Sequence, residues 1–217
     1  MSAPAPAIEE ASEQFESIEQ QRAAAELGMW VFLATELMFF APLFLGYSYG
    51  RWALGASFAA ASRHTDVVIG TANTAILLTS SLFMALALRA AQLGQQRATR
   101  ALLLITAALG MTFLALKGLE YYDEWREHLV PWLDFRFEPR YVHGAALFYF
   151  LYFGMTGLHA VHLTIGIGIA CVFALRLRWY AAKRLSRQIE IGALYWHFVD
   201  GIWVFLYPIL YLVERHG

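Results

Sequence analysis

Five stretches of this chain are long enough and apolar enough to cross a bilayer, and that leaves it few ways to fold. They cover residues 27–49, 67–88, 101–119, 144–175 and 192–213. A spanning helix needs about 20 apolar residues. In hydrocarbon no water is available to pair with the backbone, so only helices and closed barrels cross. Barrel strands read as ten-residue alternations of apolar and polar positions, whereas these runs are continuous and therefore select helices. The predicted fold is all-α: a polytopic membrane helix bundle with five transmembrane helices within 27–213. The fourth run, of 32 residues, would measure about 48 Å as a helix, so it must tilt or protrude.

Composition agrees. Of 217 residues, 59% are hydrophobic and 15% charged, against roughly 25% charged in soluble domains. The formal net charge of −1 provides no basic surplus to neutralise phosphates, so a nucleic-acid partner is not expected. The single cysteine, Cys171, excludes a disulfide framework and a thiolate cluster; in its apolar run it reads as a small core or lipid-facing residue. Residues 1–26 form a polar, acidic N-terminal tail with Glu9, Glu10, Glu13, Glu16, Glu19 and Glu26. It lacks the basic start and short apolar core of a secretory signal. Its Ala-Pro beginning reads as disordered, and 9–26 as a short surface helix. No Gly-rich phosphate loop and no GxSxG element is present, so no nucleotide or hydrolytic chemistry is expected.

Basic residues set the expected orientation. The second connection carries Arg89, Arg97 and Arg100, and the fourth carries Arg176, Arg178, Lys183, Arg184 and Arg187. Both connections are short and nearly free of acids, which marks the cytoplasmic side. The N-terminus is then cytoplasmic and the C-terminus extracytoplasmic. The third connection, 120–143, is an extracytoplasmic amphipathic loop. Its stretch EYYDEWREHLVPW, rich in Tyr and Trp, reads as an interfacial helix ending near Pro131, with the third spanning helix continuing to about Trp125.

Ionisable and amide groups inside the spans are the candidate sites, because such groups are costly in hydrocarbon. They are Glu36, Asn73, His159, His162, His197 and Asp200. Counting about 1.5 Å per residue from the cytoplasmic ends places Glu36, His197 and Asp200 in one layer and Asn73, His159 and His162 in a deeper one. Glu36 is a neutral hydrogen-bonded acid, one half of an ion pair with a histidine, or a proton-exchanging group. His159 and His162 lie on one side of a helix, which raises a metal or haem reading. A metal wants three or four convergent ligands, so histidines packed across helices are the favoured reading. Lys117 and Glu120 sit at the outer end of the third spanning helix. Arg176, Arg178, Trp196 and Trp203 are the expected lipid-headgroup contacts. Gly154, Gly157, Gly166 and Gly168 read as close-approach positions, and Pro42 and Pro208 as kinks.

Several of these stretches resemble one family. YWHFVDGIWVFLYPILYL, in the fifth span, resembles the C-terminal signature of subunit III of haem-copper terminal oxidases. TGLHAVHLTIG looks like that family's paired-histidine segment, GLEYYDEW the end of its third shared helix, and IGTANTAILLTSS the start of its second. LATELMFFAPLF is similar to the helix that carries the family's buried carbodiimide-reactive glutamate, here Glu36. Larger members have seven helices, with a lipid-filled cleft between the first two and the rest. This chain begins at what would be their third, as do short bacterial members.

The resemblance implies a non-catalytic subunit in a bacterial cytoplasmic membrane. Such a subunit packs against oxidase subunit I beside subunit II and binds phospholipid. It steadies proton uptake and turnover, while haem and copper lie in the partner subunits. Two other readings stay open. One is a subunit III-like accessory of a nitric oxide reductase. The other is an independent proton channel or transporter built on Glu36, Asp200 and the histidines.

Overall fold

In the computed structural model, which describes residues 17–212, the chain is built from helices alone. They are α1 (Ile18–Ala53), α2 (Gly55–Ser62), α3 (Val67–Gln92), α4 (Gln96–Arg126), α5 (Val142–Arg176) and α6 (Ala182–Tyr207). The last helix widens into one π-helical turn, Pro208–Leu212. Proline has no N–H to donate and its ring crowds the preceding turn, so the wider turn falls where an α-helix would break. Five helices are long and apolar enough to cross a membrane.

Three stretches differ from the sequence reading. The short surface helix expected over 9–26 is not a separate element: from Ile18 it is the start of α1, which runs unbroken into the first span. There the Ser17 hydroxyl caps the helix by accepting from the Gln20 N–H, and Ala, Gln and Glu continue it into the apolar run. The Ala-Pro start and residues up to 16 lie outside the described residues. The first connection contains α2, whose Phe58 and Ala61 are buried; eight residues are too few for a periodicity to stand out. The interfacial helix expected before Pro131 is absent: Glu120–Arg126 extends α4, and 127–141 is turns and irregular chain.

The abrupt stop of α4 has a local cause. His128 adopts φ 59°, the Leu129 N–H donates to Glu124 O at 3.0 Å, and the His128 N–H donates to Trp125 O at 3.2 Å. This paired pattern closes a helix through a left-handed residue. The α3–α4 turn repeats it with Gly94 at φ 73°, Gln95 N–H to Ala90 O and Gly94 N–H to Ala91 O. Glycine adopts this conformation without penalty, but histidine does not. His128→Gly is therefore expected to raise stability by about 1 kcal/mol. Gly94→Ala should lower it by a similar amount, read as opposite shifts of the unfolding midpoint of the full chain in mixed micelles.

Packing places α3, α4, α5 and α6 around one core: α3 meets α4 and α6, α5 meets α4 and α6, and α1 lies outside against α5 and α6. Trp196 of α6 is the hinge of this arrangement. It is 1% exposed and lies between glycines of two neighbours. A Cβ at Gly110 of α4 would stand 3.0 Å from its ring, and one at Gly166 of α5 3.1 Å. Its indole N–H donates to Ser80 Oγ of α3 at 3.2 Å, so one side chain touches three helices. Gly154 and Gly168, expected to be close-approach points, have nothing within contact distance of a Cβ, and Gly168 lines an open groove between α5, α1 and α6.

Candidate functional site

Glu36 of α1 and His162 of α5 meet directly, with Oε2 2.8 Å from Nε2. The depth count had assigned them to different layers. It measured from the ends of the apolar runs, whereas both helices extend beyond those ends and cross at their own tilt. His162 Nδ1 faces the Leu158 carbonyl at 2.9 Å, which can only accept, so Nδ1 carries a hydrogen. One further proton is then shared along the Nε2···Oε2 line, giving either an imidazolium–carboxylate or an imidazole–carboxylic acid pair. Tyr195 of α6 donates to the His162 carbonyl at 3.0 Å, and the Phe40 ring lies 5.4 Å from the imidazole. The pair opens on a groove of about 730 Å³, walled by Met29, Phe32, Ile165 and Tyr195.

The remaining expected residues do not join this pair. Asp200 turns toward α3, and His197 sits at the edge of α6 where it bonds α3 while lining a groove shared with α1. The His197 ring Nδ1 lies 2.7 Å from Ser81 Oγ. Asp200 is buried beside Ser81 and Trp196, and neither carboxyl oxygen makes a well-aligned hydrogen bond among the described residues. Asn73 and His159 are fully buried and also lack hydrogen-bond partners. His159 packs between Phe113 and Trp203, with ring centroids at 5.5 and 5.2 Å. The six groups are thus several separate contacts rather than one polar seam. Among the described residues, no three His, Cys, Asp or Glu side chains converge to ligate a metal directly.

Trp203 and Trp196 are each 1% exposed, so neither reaches a headgroup. Trp203 donates to Thr74 Oγ1 at 3.0 Å and meets Phe113 edge-on at 4.7 Å. Their indole N–H groups found hydroxyls inside the bundle, which removes the reason to sit at the interface. Arg176 is the last residue of α5 and Arg178 lies just past its cap, both exposed; Arg176 also donates to Gln188 Oε1 at 3.0 Å.

The most elaborate polar cluster surrounds Lys117 and Glu120, 2% and 4% exposed. The Lys117 ammonium donates to Glu120 Oε2 at 3.0 Å, to Tyr152 OH at 2.7 Å and to Tyr211 OH at 2.5 Å. Both tyrosines pass their own hydrogens to Glu120 Oε1, at 2.9 and 2.6 Å. All three ammonium donors and both phenol donors are therefore used. The ammonium also lies 4.4 Å from the Tyr152 ring centroid and 5.2 Å from that of Tyr211, an arrangement attractive in itself. Beside it, Thr156 donates to Tyr152 O, so Tyr121 OH donates to Thr156 Oγ1 at 2.5 Å. The sequence showed Lys117 and Glu120 three residues apart on one face but not the tyrosines that close the cluster. Their only signal was aromatic richness in LFYFLYFG and LYPILYL.

At the opposite end of the bundle, Gln96 clamps the α5–α6 turn. Its amide nitrogen donates to Leu177 O and to Tyr180 O, and its carbonyl accepts from the Ala182 N–H at 2.6 Å. Nothing in the sequence around Gln96 marks it.

Comparison with known proteins carries the geometry to a family. The sequence model of the family described as Cytochrome c oxidase subunit III matches residues 7–214. The chain is similar to a cytochrome c oxidase subunit 3 of Alkalihalophilus pseudofirmus, 31% identical over 88% of this chain and 87% of that protein. It is 29% identical to one of Oncorhynchus mykiss, over 85% of this chain and 67% of that protein. It also resembles a protein of Aeropyrum pernix named Heme-copper oxidase subunit I+III, at 29% identity over 85% of this chain and 22% of that longer protein. With the match spanning all five membrane-length helices, the chain belongs to the cytochrome c oxidase subunit III family.

Proposed function

We propose that this chain is the non-catalytic subunit III of a respiratory haem-copper oxygen reductase in a bacterial cytoplasmic membrane. It stabilises subunit I beside subunit II, binds phospholipid and supports proton uptake during sustained turnover. Haem and copper belong to the partner subunits. The relative in which subunits I and III form one polypeptide supports direct contact with subunit I. The apolar groove between α1, α5 and α6 supports an acyl-chain site, with Arg176 and Arg178 in reach of headgroups. The N-terminus is cytoplasmic in this reading.

One observation carries the proton-linked part: Glu36 Oε2 and His162 Nε2 lie 2.8 Å apart across α1 and α5, partly open to the groove. Glu36→Gln keeps a hydrogen-bonding group there but cannot ionise. Glu36→Ala leaves His162 without its partner, at a cost of about 1–3 kcal/mol for an unsatisfied group. The complex carrying Glu36→Gln is expected to assemble, keep its haem spectrum and lose activity faster over repeated turnover. Glu36→Ala is expected to assemble less well in addition. Deleting the chain should leave the haem spectrum intact while sustained activity fades. A stoichiometric haem spectrum on the isolated chain would overturn the reading, as would wild-type behaviour in both Glu36 variants.

A further inference from the structure

Exposed threonine and serine hydroxyls inside the spans satisfy themselves. Thr35, Ser48, Thr79, Thr112 and Thr164 each donate to a carbonyl three or four residues back on their own helix. His197 of α6 is different. Its Nδ1 is bonded to Ser81 of α3, but the ring is exposed at the outside of the bundle. Its Nε2 has no hydrogen-bond partner among the described residues. In either tautomer that nitrogen is a donor or an acceptor, and hydrocarbon offers it no counterpart.

The imidazole stands on the wall of a groove of about 450 Å³ between α1 and α6. Trp30, Leu33 and Leu37 form the α1 wall, and Leu194 and Phe198 flank the ring on α6. Trp30 and Leu37 are 55% and 54% exposed, so the bundle itself does not cover this face. The groove is distinct from the one holding Glu36, which takes Met29, Phe32 and Glu36 from α1. Each of those positions precedes its counterpart here by one residue, a turn of about 100° around the helix.

Depth decides what can occupy it. Arg187 and Glu190 are bonded to each other, and Arg187 also reaches Glu26 of α1 at 2.8 Å, which marks the polar boundary on both helices. His197 lies seven residues beyond Glu190, about 10 Å further into the apolar layer. Headgroups stay above that depth, and acyl chains carry neither donor nor acceptor. Lipid can fill the groove but cannot satisfy Nε2. A neighbouring spanning helix can do both, and the small Ala34 on the groove wall lets its backbone come close.

We propose that the α1–α6 groove seats a transmembrane helix of oxidase subunit I that carries a hydrogen-bonding side chain, of the Ser, Thr, Asn or Gln type, opposite His197 Nε2. The site rests on the reading of the chain as subunit III, and it fixes which face meets the catalytic subunit. Ser81 is a positioning residue that holds the ring toward the groove.

The test uses the whole oxidase complex, with the photo-crosslinker p-benzoylphenylalanine placed at Phe198. The comparison position is Met111, 53% exposed on α4, whose neighbours are α3 and α5. Illumination is expected to link subunit I through position 198 and not through position 111. His197→Leu should cut the amount of this chain retained on the purified complex about 5-fold. His197→Gln, whose amide still donates and accepts, should retain it. Ser81→Ala removes only a bond within the chain and should lower retention less than His197→Leu does. Equal losses in Ser81→Ala and His197→Leu would make His197 an internal contact and overturn the proposal. So would a position 198 that links only to lipid, or no more to subunit I than position 111 does. A wild-type chain that does not co-purify with subunit I would overturn the subunit III reading itself, and this site with it.

Discussion

Glu120→Ala is expected to lower the stability of the bundle by about 3–5 kcal/mol, the cost of leaving one member of a buried ion pair uncompensated. The alanine strands an ammonium 2% exposed among aromatic rings. It also leaves the hydroxyl hydrogens of Tyr152 and Tyr211 without their shared acceptor. Lys117→Met should cost a comparable amount by stranding Glu120. The double replacement Lys117→Met with Glu120→Leu is expected to recover most of the loss, because removing both charges removes the desolvation penalty together with the attraction. Unfolding of the four forms in mixed micelles closes a double-mutant cycle. If the two single losses simply add in the double variant, the residues do not act as a pair and the cluster is incidental.

The second large effect is expected at Trp196. In lipid the surroundings are as apolar as the bundle interior, so truncation costs mainly packing and the hydrogen bond. Trp196→Ala should then fall near the lower end of buried-tryptophan truncations, about 3 kcal/mol. Trp196→Phe retains a ring between Gly110 and Gly166 and loses only the bond to Ser80, about 1 kcal/mol. Emission of Trp196 should resist quenchers held at the headgroup level. Equal stability of the Ala and Phe variants, or strong headgroup quenching, would return Trp196 to the membrane interface.

These two sites mark what was legible in the amino-acid order. The identity of the ionisable residues was plain, because each interrupts an apolar run. Their partners were not. Glu36 was grouped by depth with Asp200 and His197, yet its partner is His162, 126 positions away. Trp196 and Trp203 looked like interface anchors, since nothing local distinguishes an indole bonded to a headgroup from one bonded to Ser80 or Thr74.

The sequence by itself determined that this is an all-α membrane protein with five long helices, and it carried the family's motifs in order. The reason is the solvent: hydrocarbon forces every spanning backbone to satisfy itself locally, so run length alone dictates the elements. Only the tertiary structure decided which polar groups meet. A helix fixes the spacing of its own side chains, but its tilt and rotation come from packing against neighbours. The tyrosines that close the Lys117 cluster come from α5 and the π-helical turn, 35 and 94 positions from the lysine, a distance over which local periodicity carries no information.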